Sequence, residues 1–318
     1  MGQVLFSVII PLYNKQGSIE KTLKTVLAQT VSNLEVLVVN DGSTDDSAQL
    51  VLTNNDERIR LITQENQGVS VARNRGISEA VGKYIAFLDA DDEWSPNFLE
   101  VCLELFKKYP TAKMVSPSYA VKYEKKIVLP EWKGVDLETE DCLINEFLEM
   151  ATGSFWTVTS SCVALERETL LKMERWFPEG ERVYEDFDLW LRFGVRHPVA
   201  HSNKVCATYN RITPSNARKT HRAKVVYSTS YYKTLDELLR SENYDERQKL
   251  WVRQIRDRRQ VVYIFSLLCT KNRKEARKVL KTWVPTKTYK KYRFFLNCAV
   301  WVPSFLITIV QNIRYKTF

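Results

Sequence analysis

The sequence predicts an α/β fold, a mostly parallel central sheet followed by a helical C-terminal region. Three observations predict it. Four apolar, β-branched runs, at residues 5–10, 34–39, 59–63 and 84–88, alternate with segments of helical periodicity, the signature of buried parallel strands joined by crossover helices. The loop after each run is polar and rich in carboxylates and small residues. The charge changes sign along the chain: residues 1–200 hold 21 Lys+Arg against 31 Asp+Glu, and residues 201–318 hold 26 against 7. With 318 residues, 44% of them hydrophobic, the chain is too apolar for a disordered tail and long enough for a large domain plus an appendage.

The opening MGQVLFSVII has no basic region before its short apolar run, and Pro11 follows at once, so it reads as the first strand rather than a leader. Ile19, Leu23, Val26 and Leu27 then share one helical face, with Ser18 positioned as a cap. After the second run, Ser43 and Asp46 have the spacing of a capping box that opens a helix containing Ala48, Leu50 and Val51. A third helix is expected at about residues 69–80 and a fourth after Pro96. Residues 111–210 are mixed: a strand at 113–119, an acidic stretch from 131 to 149, and GSFWTVTSSCVALERETL as a strand leading into a short helix. Beyond Thr220 the chain is helical and basic, with Ile255, Val262, Phe265 and Leu268 as one buried stripe.

The charge asymmetry suits metal ions in the first half and an anionic surface, lipid headgroups or a nucleic-acid backbone, in the second. The six cysteines contain no C-x-x-C pair and the three histidines lack metal-site spacing, which argues against zinc and a disulfide framework and for a reducing cytosol.

In open parallel sheets the ligand lies beyond the carboxyl ends of the strands. Asp89-Ala90-Asp91 follows the fourth run, where an extended backbone would turn both carboxylates to one side and let them hold a divalent ion, Mn²⁺ or Mg²⁺, shared with a diphosphate. A solvated acidic turn is the competing reading, and the position after an apolar strand favours the first. Asp41, in VVNDGSTDDS, is suited to a nucleobase imide or a ribose hydroxyl, while Asp45 reads as structural. Arg73 and Arg75, in GVSVARNRG, bring cations to this rim, Arg73 being the preferred ligand and a purely structural ion pair its rival.

Over residues 6–100 the blocks SVIIPLYNKQGSIEKTLKTVLAQT, LEVLVVNDGSTDDS and ENQGVSVARNRGISEAVGKYIAFLDADDEW resemble those of the inverting family 2 glycosyltransferases, which have the GT-A fold. The resemblance implies a nucleotide-sugar donor, UDP-linked, with Pro11 and Tyr13 bordering the nucleobase, Asp41 recognising uracil or ribose, and Arg73 supporting the nucleotide. It assigns Asp89, Ala90 and Asp91 to the sugar nucleotide and its metal. VYEDFDLWLRFG resembles the family's acidic motif, which makes Asp186 the catalytic base with Glu185 beside it, where N-terminal helix capping is the alternative. Gly153, Ser154 and Trp156 fall on the acceptor side. Tyr209-Asn210-Arg211 departs from the Tyr-Arg pair of relatives and leaves open whether Arg211 meets the pyrophosphate. Residues 1–215 are then the catalytic domain, 1–100 its donor half and 101–215 its acceptor half, with 216–318 a basic helical region.

Within that region residues 294–313 carry no charge, and Asn297, Ser304, Thr308, Gln311 and Asn312 fall in one sector, the pattern of an amphipathic helix lying on an anionic membrane. Packing on the catalytic domain or on a second copy in a homo-oligomer is the rival, and a single membrane span ranks third. The expected protein is thus a hexosyl- or N-acetylhexosaminyltransferase, peripheral on the cytoplasmic face of the cell membrane, acting on a glycan acceptor, lipid-linked, in surface polysaccharide synthesis. A nucleotidyltransferase would need a glycine-rich basic loop where PLYNKQG stands. A nucleic-acid-binding protein would use the +19 half, but nucleic acid is not the expected partner. A silent binding module would not need the intact acidic motifs.

Overall fold

The computed structural model describes residues 4–130, 135, 138–144, 146–153, 158–181, 183–211 and 227–302. It divides into two units, residues 1–216 and 217–318.

In the first unit β1 (Phe6–Leu12), α1 (Ile19–Leu27), β2 (Leu34–Asp41), α2 (Ser47–Leu52), β3 (Ile59–Gln64), α3 (Val69–Glu79) and β4 (Tyr84–Phe87) alternate as the sequence predicts. There follow β5 (Glu93–Trp94), α4 (Phe98–Lys108), β6 (Met114–Lys122), β7 (Ile127–Val128), β8 (Asp141–Ile144), α5 (Phe147–Ala151), β9 (Val163–Glu166), α6 (Arg167–Leu171), α7 (Glu185–Gly194) and β10 (Val199–Asn210). Among the described residues they form one sheet in the order β3-β2-β1-β4-β9-β6-β10-β5, with β7 on β6 and β8 on β10. The first four strands pair in parallel, and β9 joins antiparallel to both β4 and β6. β1 and β2 are buried almost throughout because the sheet is covered on both faces, whereas β3, at the edge, is half-exposed.

Local capping differs from the sequence reading. α2 begins at Ser47 with Asp46 as an N-cap whose side chain makes no capping bond. Ser43 instead accepts from the Asn14 amide at 3.1 Å. Asp45 accepts from Gln16 N and Ser47 N at 3.1 and 3.0 Å, in the structural role expected of it. Ser18 stands at the N-cap of α1 but its hydroxyl donates to the Ala90 carbonyl at 2.9 Å, fastening that helix to the loop after β4. α3 lies directly on β1 because Gly76 leaves room: a Cβ there would come within 2.4 Å of Ile9.

In the second unit α8 (Thr229–Arg240) is capped by Ser228, and α9 (Glu246–Cys269) opens with a capping box of Asp245 and Gln248. α10 (Arg273–Thr282) and α11 (Lys290–Ala299) pack on α9 through Ile264, Leu268, Leu280, Trp283, Leu296 and Val300. Buried Asp257 pins the connection between α10 and α11, accepting from Trp283 Nε1, Thr286 N and Thr286 Oγ1, each at 2.7 Å. The stripe on α9 runs through Ile255, Ile264 and Leu268; Val262, predicted within it, is exposed. Of the amphipathic segment 294–313, residues beyond 302 lie outside the described residues.

Candidate active site

β4 ends at Phe87, so Asp89, Ala90 and Asp91 sit in a turn, closed by Asp92 N donating to the Asp89 carbonyl at 3.0 Å. The strand alternation expected to aim both carboxylates one way does not apply there. Each acid meets its own cation: Arg73 Nη2 contacts Asp89 Oδ1 at 2.7 Å, and Lys15 Nζ contacts Asp91 Oδ2 at 2.5 Å. The fully buried Asp92 anchors the turn, accepting from Ser161 Oγ at 2.5 Å and Asn210 N at 2.8 Å. Burial, then the charges of Asp89 and Asp91, push its carboxyl well above the usual range despite those hydrogen bonds. The Asn210 side chain donates to the Asp91 carbonyl at 2.8 Å and to Glu93 at 2.9 Å, so the last residue of β10 braces the acidic turn.

Arg73 is buried because it shares the inward face of α3 with Ala72, Gly76 and Ile77. Its guanidinium lies 5.1 Å from the centre of the Phe177 ring and reaches Glu185 Oε1 through Nη1 at 3.1 Å. It therefore joins the turn after β4 to the start of α7, standing 16 residues from Asp89 and 112 from Glu185 in sequence. Burial alone would lower its basicity, but the carboxylates of Asp89, Glu185 and Asp186 outweigh burial and raise it. The side chain of Glu185 is 12% exposed. Burial first, then Asp186 beside it, push Glu185 up to about 7 against the pull of Arg73.

Asp186 turns one oxygen to the Phe187 amide at 2.8 Å, as an acid in the first turn of a helix should. Tyr184, immediately before the motif, holds φ 64°, a left-handed conformation unusual for an aromatic residue. The helix itself is locked by buried Asp188, which accepts from Arg192 Nε at 2.8 Å while Arg192 donates to the Arg175 and Trp176 carbonyls at 2.7 and 2.5 Å. That clamp fixes the segment that carries Phe177 beneath Arg73.

On the other side of the turn Pro11 is half-buried and Tyr13 is 47% exposed. Asn14 adopts a left-handed φ of 51° and accepts from Thr44 N at 2.8 Å, tying the loop after β1 to the loop after β2. Asp41 is buried and already accepts three hydrogen bonds, from Gln64 Nε2 at 2.8 Å, Gln67 N at 2.9 Å and Gly68 N at 2.8 Å. It shapes the loop before α3, which sequence reasoning did not anticipate. Arg75 faces away and pairs with Glu79 at 2.7 Å. Arg211 lies against Tyr123 and Tyr209, its guanidinium 5.3 and 5.7 Å from their ring centres. Gly153 is buried at the end of α5; Ser154 and Trp156 lie outside the described residues. Lys15, Asp92 and Asn210 were not foreseen: a lysine in PLYNK and an asparagine ending a strand carry no local signal, because what defines them is contact with the acidic turn.

Among the described residues no cluster of three or more acidic, histidine or cysteine side chains forms a metal cage. Asp89 and Asp91 are hard oxygen donors of the kind that Mg²⁺ or Mn²⁺ takes one or two of, with substrate oxygens and water in the remaining positions, and an ion held by both would compete with the Arg73 and Lys15 pairs.

Residues 7–161 match the sequence model of glycosyl transferase family 2. Residues 7–161 therefore form a glycosyl transferase family 2 domain. Its curated relatives include the chondroitin synthase of Pasteurella multocida, 28% identical over 89% of this chain and 29% of the synthase, and the hyaluronan synthase of Pasteurella multocida, 31% identical over 65% of this chain and 20% of the synthase. The chain thus spans under a third of the length of those relatives. The chain resembles S. aureus TarS, solved as residues 1–349 with UDP-GlcNAc, at a TM-score of 0.68 and 16% identity over 93% of this chain and 88% of that one. The mannosyltransferase PcManGT of Pyrobaculum calidifontis, solved with GDP-Man and Mn²⁺, superposes at a TM-score of 0.59 and 17% identity over 98% and 88%. These likenesses identify the fold as GT-A, a mixed α/β sheet followed by helices.

Proposed function

We infer that the chain is an inverting glycosyltransferase that moves a hexosyl or N-acetylhexosaminyl group from a UDP-sugar to a hydroxyl of a glycan acceptor. The observation that carries the reading is the Asp89–Arg73–Glu185 chain of contacts, which brings the acidic turn after β4 against the acidic start of α7. A transferase needs this juxtaposition, a diphosphate-holding edge beside a carboxylate able to take a proton. Asp186 takes the proton of the acceptor hydroxyl, whose oxygen attacks the anomeric carbon from the face opposite the departing nucleoside diphosphate, so configuration inverts. Arg73 keeps the two acidic loops together and offsets their charge. Asp91, with Asp89, would hold the divalent ion, which when bound offsets charge on the leaving diphosphate. Pro11, Tyr13 and Asp41 form the nucleotide edge, and Gly153, Ser154 and Trp156 the acceptor side.

The similarity to polysaccharide synthases supports a growing surface glycan as acceptor, carried on a lipid. The surplus of cations after residue 200 and the exposure of Phe294, Phe295 and Trp301, at 66%, 64% and 75%, support peripheral attachment to the cytoplasmic face of an anionic membrane. No helix among the described residues is long and apolar enough to cross a membrane. A screen of nucleotide sugars for Mn²⁺-dependent hydrolysis and for thermal stabilisation tests the donor: a UDP-sugar should score in both, and no response from any sugar nucleotide would overturn the reading.

A further inference from the structure

In the second unit a cavity of about 310 Å³ opens between α10 and α11. Arg277 and Lys281 enter it from α10, Arg293 and Asn297 from α11, and Trp301 closes it beyond α11. Its apolar floor, Leu280 and Val300, belongs to the core of the unit, so the walls are carried on packed helices. No carboxylate lines the cavity, and among the described residues neither arginine nor the lysine pairs with an acid. The local sequence explains this: residues 271–302 hold ten Lys and Arg and a single acid, Glu275.

Two further details point to a built site. Arg277 stacks on the Trp301 ring with its guanidinium carbon 4.4 Å from the ring centre, an arrangement that uses the face of the cation and leaves its N–H edge for hydrogen bonding. Arg273 donates to the Val300 carbonyl at 2.9 Å and to the Val302 carbonyl, which fixes the chain on either side of Trp301. Three cations gathered on one concave surface repel each other unless an anion joins them. Guanidinium groups match the geometry of phosphate oxygens. The volume exceeds that of a bare phosphate and leaves space for a small esterified group.

We propose that this cavity binds the phosphate of a phosphoester, carried by a lipid headgroup or by a soluble phosphate compound. The site is independent of the transfer reaction, and it gives the anionic-membrane reading a discrete contact that can fail separately. The full chain is compared with Arg277→Ala/Arg293→Ala and with Lys271→Ala/Lys274→Ala, a charge-matched change outside the cavity. Two probes are used at constant ionic strength: glycerol phosphate by titration calorimetry, and flotation with phosphatidylcholine vesicles with or without phosphatidylglycerol. Thermal unfolding of each variant establishes that it is folded. Loss of about tenfold or more in affinity for either probe, in the cavity variant alone, is the expected result. Loss with glycerol phosphate only assigns a soluble ligand, and loss in flotation assigns a lipid. Equal binding by both variants overturns the proposal, and flotation that survives in both leaves membrane attachment to diffuse charge without this site.

Discussion

Glu185 offers a test of the proposed active site that needs no substrate. An ordinary glutamate titrates at 4.5 and Glu185 at about 7, because it is buried and lies beside Asp186. Each pH unit between those values is worth about 1.36 kcal/mol, so ionising Glu185 in the folded chain costs on the order of 3 kcal/mol. The folded state holds this proton more tightly than the unfolded chain does. The contribution to stability is therefore fully present below pH 4.5 and is lost as the pH rises through about 7. Glu185→Gln cannot ionise and keeps an oxygen for Arg73. Urea unfolding of both proteins followed by tryptophan fluorescence from pH 4.5 to 8.5 should show the wild type losing stability relative to the variant, with most of the change complete near pH 7.5. Parallel stability curves across that range would refute the argument that burial and Asp186 govern this carboxyl.

Asp186→Asn and Asp91→Ala should each lower transfer by about 10²-fold or more at saturating donor and acceptor, with unfolding temperature little changed; wild-type turnover in Asp186→Asn would remove it as the base. Gly76→Val should destabilise the first unit by about 2 kcal/mol or more, since even a Cβ meets Ile9 at 2.4 Å, and chemical denaturation measures it. Asp257→Ala strands Trp283 Nε1 and the Thr286 donors, which should cost about 2–4 kcal/mol and raise hydrogen exchange in α10 and α11 without altering donor hydrolysis.

The alternation of strands and helices over the first ninety residues was legible because β1, β2 and β4 are buried on both faces, the edge strand β3 keeps its β-branched run, and the helices between them carry apolar positions at helical spacing, patterns written in consecutive residues. DAD stood out because it follows an apolar strand, whereas ED was singled out by family resemblance, its residues alone reading equally well as a helix cap. The stripe on α9 was misread at Val262 because that helix packs against three others, α8, α10 and α11, and a simple period does not reveal which flank each partner covers. Capping by Ser43 failed because its hydroxyl serves the loop after β1, a contact 29 residues distant.

By itself, then, the sequence determined the order of elements over the first ninety residues, the polar rim beyond those strands and the division of charge between the halves, since all three depend on neighbours along the chain. Only the tertiary structure decided that Asp89 and Asp91 face different cations, that Arg73 links Asp89 to Glu185, and that Asp92 and Asn210 hold the turn. Each of those outcomes depends on groups brought from distant elements by the packing of α3 and α7 against the sheet and by the place of β10 within it, and no local pattern encodes such a meeting.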